Sequence, residues 1–120
     1  KGVLSVHAAL VFRYGRPWAG REKLAFEAFQ DAIAFFEKRA ADGLCQAPIP
    51  FMAATGGGMF MVHGERDRLV EIIQTEDFIH MYLRAGYAVP DLTYEMMAAG
   101  ETAVHQMGMW AGVGSELGLI

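Results

Sequence analysis

The chain has 120 residues, a formal net charge of −4, 53% hydrophobic residues and 20% charged ones. That length makes one domain, residues 1–120, large enough to bury a core without staples. The negative balance argues against nucleic acid or an anionic membrane as partner, and one cysteine, Cys45, excludes an internal disulfide.

Residues 3–14, VLSVHAALVFRY, are rich in β-formers and bounded by Gly15 and Pro17, and so predict a first strand. Alternation puts Val6, Ala8, Leu10, Phe12 and Tyr14 on one face, and His7, Ala9, Val11 and Arg13 on the other. After the loop GRPWAG, residues 21–42 predict a long amphipathic helix. Its apolar stripe is Ala25, Phe26, Phe29, Ala32, Ile33, Phe36 and Ala40, and Gly43 stops it. Cys45 follows that helix end and is expected to be structural.

Residues 47–55 and 59–64 predict two short strands separated by Gly56, Gly57 and Gly58. A phosphate-binding loop would open a helix and carry a Lys followed by a hydroxyl residue. Here MFMVH follows, a strand pattern, so the glycines predict a hairpin turn. Residues 66–74 predict a helical turn region, and Thr75 an N-cap for a further helix over 76–86 with Phe78, Ile79, Tyr82 and Leu83 as its buried stripe. Residues 92–98, LTYEMMA, predict the fourth strand. The tail is ambiguous: Val104, Met107 and Trp110 or Ala111 suggest a short helix, which Gly108, Gly112 and Gly114 weaken.

The order β-α-β-β-α-β is the ferredoxin-like, α+β arrangement, an antiparallel four-stranded sheet with helices on one face. The core is expected over residues 4–98, with 99–120 as a C-terminal extension. The other face of such a sheet alternates to polar residues where it meets water. Here it does not: strands two, three and four carry apolar side chains on both sides. A second copy of the chain is the expected cover.

This order, with the hairpin TGGGMFMV, the helix ERDRLVEIIQTEDF and the run YAVPDLTYEMM, resembles the dimeric α+β barrel superfamily. That group includes YCII-related proteins, muconolactone isomerases and antibiotic-biosynthesis-type monooxygenases. The resemblance implies two subunits with sheets pressed together around a cavity for a small organic molecule, and some members hold haem.

On the cavity face the strand pattern places His7, Val11, Arg13, Met61, His63 and Glu95. Arg13, His63 and Glu95 are the candidate catalytic residues. A His or Glu next to an apolar pocket can take a proton beside a carbonyl, while an Arg holds the developing oxyanion. His7, Tyr14, Trp18 and Met61 are candidate ligand contacts, with Arg13, Arg16, Arg21 and Lys23 forming a positive mouth around Trp18 for a small acid. No metal is expected. His7 and His63 are too few for a closed site, and His105, Met107 and Met109 are more simply packing residues. No cofactor is expected, and His105 is too isolated to ligate haem. Neither a membrane-spanning run nor a signal-peptide pattern is present, so the expected location is cytoplasmic. Two functions remain open: a homodimeric binder of a small, partly apolar anion with cofactor-free isomerase, lyase or monooxygenase chemistry, or a non-catalytic accessory subunit.

Overall fold

The computed structural model describes residues 7–120. Residues 3–6 of the predicted first strand lie outside them. The elements run β1 (His7–Tyr14), α1 (Glu22–Ala41), β2 (Ile49–Met52), β3 (Gly58–Glu65), α2 (Arg66–Ile73), α3 (Glu76–Gly86), β4 (Thr93–Ala98) and α4 (Gly100–Glu116). One four-stranded sheet has the order β2-β3-β1-β4, with every neighbouring pair antiparallel. This is the ferredoxin-like α+β fold.

The core lies between the sheet and the first three helices. β1 contributes Ala8, Leu10 and Phe12, β3 Phe60 and Val62, and the helices add Phe36, Leu69, Ile72 and Phe78. Phe12 stacks on Phe60 with ring centroids 4.5 Å apart, and Phe36 and Phe78 tilt against the same ring at 5.6 and 6.0 Å. Offset and edge-on ring pairs add to the stabilisation from burial alone.

Two helical stripes differ from expectation. On α1 the buried line is Ala25, Ala28, Ala32 and Phe36, and Phe26, about 100° off it, is 63% exposed. On α3 Phe78 is buried and Tyr82 packs beside it, whereas Ile79 and Leu83 face outward. Thr75 caps α3 as expected: its hydroxyl accepts the Phe78 N–H at 3.3 Å.

β2 is shorter than predicted because a tight turn takes over at Ala53. The Ala53 N–H donates to the Gly57 carbonyl at 2.9 Å, and Gly56 has φ +100°. A Cβ on Gly58 would sit 2.5 Å from the Phe51 carbonyl oxygen, so glycine is required where the two strands of the hairpin converge. The glycine run leads into β3 and opens no helix.

The tail forms a helix of 17 residues, α4, none of them buried. The His7 carbonyl accepts the Ala99 N–H at 3.0 Å and the Thr102 hydroxyl accepts the His7 N–H at 3.2 Å, which ties its start to β1. The radius of gyration is 16.8 Å; a compact chain of this length has about 14 Å. No helix among the described residues is long and apolar enough to cross a membrane.

Candidate functional site

The side of the sheet away from α1, α2 and α3 is set by register, because directly paired residues share a face. Three rows cross it. His63, Ala9 and Met97 form one; Met61, Val11 and Glu95 the next; Met59, Arg13 and Thr93 the third. β2 extends the last two rows with Ile49 beside Met61 and Phe51 beside Met59. The result is an apolar field with a few polar groups set into it.

Two of those polar groups meet. Arg13 and Glu95 stand diagonally across β1 and β4, and Arg13 Nη1 donates to Glu95 Oε1 at 3.3 Å. Their side chains are 49% and 59% exposed. An exposed pair like this adds little to stability; its effect is to orient the carboxylate over the sheet. His63 is half-buried opposite Ala9, and its carbonyl accepts the Gln46 N–H at 2.8 Å. Ala9 and Val11, on β1 between His63 on β3 and Glu95 on β4, are themselves buried. β3 and β4 flank β1, so two strand spacings, roughly 10 Å, separate the His63 and Glu95 strands. His7 is on the same face, one step diagonal from His63.

Two hollows adjoin the Arg13–Glu95 pair. Glu95 borders one of about 840 Å³, walled by His7, Met97 and α4 through Thr102, Gln106, Met107 and Trp110. Arg13 borders another of about 590 Å³, at the hairpin turn with Tyr14, Arg16, Phe51 and Met59.

Of the residues anticipated from sequence, Arg13, His63, Glu95, His7 and Met61 share one face. Tyr14 turns to the helix side, where its ring meets Phe29 edge-on at 6.3 Å, and burial raises its hydroxyl pKa. Trp18 lies in the loop before α1, its N–H donating to the Ala88 carbonyl at 3.1 Å. It borders a separate hollow with Tyr82, Leu83 and Leu92 and is 50% exposed. The expected positive mouth is divided among local partners: Arg13 with Glu95, Arg21 with the Tyr87 carbonyl, and Lys23 with Glu27 at 4.0 Å.

The α4 residues of the larger hollow were not among the sequence candidates. The signal for them was the helical spacing of Val104, Met107 and Trp110 or Ala111, which the glycines obscured. On that helix His105 and Met107 project about 200° apart, so the alternate-residue run does not converge on a metal. Among the described residues no group of three or more His, Cys, Asp or Glu could hold a metal ion.

No protein-family model and no curated protein sequence matches the chain. The fold does recur in solved structures. A conserved protein of unknown function from Bacteroides thetaiotaomicron superposes with a TM-score of 0.65 at 16% identity, over 80% of this chain and 100% of that one. SnoaB, a cofactor-independent oxygenase from Streptomyces nogalater, gives 0.62 at 9% identity, over 79% of this chain and 94% of its own. An antibiotic biosynthesis monooxygenase gives 0.59 at 17% identity, over 78% and 98%. At these identities the likeness is one of fold.

Proposed function

We propose that this chain is a subunit of a homodimeric α+β barrel that binds a small, partly apolar, anionic organic molecule over the open sheet face and acts on it by cofactor-free acid–base chemistry. One observation carries the reading: the Arg13–Glu95 pair and His63 share a face whose other members are almost all apolar. An apolar pocket with a few convergent polar groups is the usual form of a small-molecule site.

Among isomerase, lyase and monooxygenase chemistry, the monooxygenase type is favoured by the shared fold of SnoaB and the antibiotic biosynthesis monooxygenase. Oxygenation without a cofactor takes its electrons from the substrate. The substrate must therefore be a carbon or phenol acid whose conjugate base is delocalised. His63 or Glu95 takes the proton, and Arg13, already beside Glu95, holds the oxygen on which charge accumulates. The accessory-subunit reading is favoured by a different observation, that α4 buries none of its residues.

The test has two arms. Native mass spectrometry of freshly purified protein should show a dimer with a retained small ligand. Oxygen uptake should then be measured with electron-rich phenols, comparing wild type with Arg13→Ala and His63→Ala. Loss of uptake in both folded variants is expected. Uptake unchanged in both removes these residues from the site, and uptake absent in wild type with no retained ligand favours the accessory subunit.

A further inference from the structure

α4 is not a helix that water would support alone. Gly108, Gly112 and Gly114 each cost it about 1 kcal/mol relative to alanine, and a helix of this length is marginal in water even with good formers. From residue 102 to 115 it has no Asp, Glu, Lys or Arg. Val104, Met107, Met109, Trp110 and Val113 are all exposed, Trp110 by 75%. Large apolar side chains spread round a helix in this way call for a partner surface. Among the described residues, the elements α4 chiefly packs against are β1 and β4.

A second uncharged tract lies on the opposite side of the sheet. Residues 46–64 also lack Asp, Glu, Lys and Arg. They form β2 and most of β3, and Ile49, Phe51 and Met52 stand exposed at that edge. With the strand order β2-β3-β1-β4, α4 emerges at one edge and the bare apolar edge is the other.

We infer that α4 is an arm that lies across the β2–β3 half of a second copy's sheet, so that each copy roofs the other's His63 row. The inference rests on the homodimer reading and goes beyond it. The occupant is a second copy because both matching surfaces belong to one chain, and a two-fold axis brings them together twice in one operation. Exposed apolar side chains of α4, the tail after it and β2 amount to on the order of 1,000 Å² per chain, above the about 800 Å² per partner of a standard interface. Neither surface carries a charge that would have to be desolvated. The sheet face around His63 is then covered only in the dimer, by residues of the partner's arm.

The experiment uses the full chain in a Cys45→Ser background. One preparation carries Met109→Cys and another Phe51→Cys; they are mixed, allowed to exchange subunits and treated with a short bis-maleimide. A 109–51 cross-linked dimer is expected from the mixture, with far less product from either preparation alone. In parallel, Met109→Asp should raise the dimer dissociation constant at least tenfold by sedimentation while leaving far-UV circular dichroism unchanged. A wild-type dimer that gives no mixed cross-link and is unaffected by Met109→Asp overturns the arm and leaves the homodimer standing. A wild-type monomer at high concentration overturns both.

Discussion

Arg13 and Glu95 come from strands 82 residues apart in sequence, yet their side chains meet at 3.3 Å on the open face of the sheet. The contact is diagonal: Arg13 pairs with Thr93 and Val11 with Glu95. Diagonal neighbours are within reach of long side chains, so an arginine is long enough to orient the carboxylate where a shorter cation would not be. Breaking the pair should cost stability little, at most about 1 kcal/mol for an exposed ion pair. Glu95→Gln should therefore unfold at nearly the wild-type urea midpoint while losing binding or turnover of whatever ligand is identified. A large midpoint shift would mean the pair is structural.

The aromatic core makes the opposite prediction. Phe36 is fully buried and packs against Phe12, Phe60 and Phe78. Phe36→Ala removes a ring that all three share and leaves a void. The expected loss is about 3–5 kcal/mol, read from urea unfolding followed by circular dichroism.

At the hairpin, Gly58→Ala places a Cβ against the Phe51 carbonyl oxygen, which is backbone and cannot step aside. The strands must separate locally, at a cost of about 1–3 kcal/mol. Because β2 is an edge strand, the damage should be confined to it. Hydrogen exchange should quicken in residues 49–60 while β1 and β4 keep their protection.

Tyr82 links stability to alkaline pH. Its hydroxyl donates to the Leu92 carbonyl at 3.1 Å and its ring meets Tyr94 edge-on at 5.0 Å. Burial raises its pKa, and the neighbouring Tyr94 raises it further. A folded-state pKa above the unfolded one means stability is fully present below about pH 10 and is lost as pH rises through the folded value. Wild type should lose thermal stability above about pH 10 more steeply than Tyr82→Phe, which cannot ionise at that position. Parallel curves would remove Tyr82 as the cause.

Local chemistry made most of the elements legible. The β-rich run of β1, the Thr75 cap and the glycine turn act over a few residues, and the structure has a strand over the described part of that run, the cap and the turn. Phe26, Ile79 and Leu83 were harder, because an apolar side chain one position off a stripe looks the same in sequence as one on it. The tail was hardest. Its glycines argue against a helix by intrinsic preference, and α4 forms nonetheless.

From its residue order alone, the chain determined a four-stranded sheet with helices on one side and a second side rich in apolar residues. Those features follow from periodicity, which is written residue by residue. Only the tertiary structure decided that Arg13 lands on Glu95, that Tyr14 and Trp18 lie away from His63, and that α4 leaves at the edge opposite the bare β2. Register and strand order set those relationships, and both arise from contacts between segments distant in the chain, which no local pattern records.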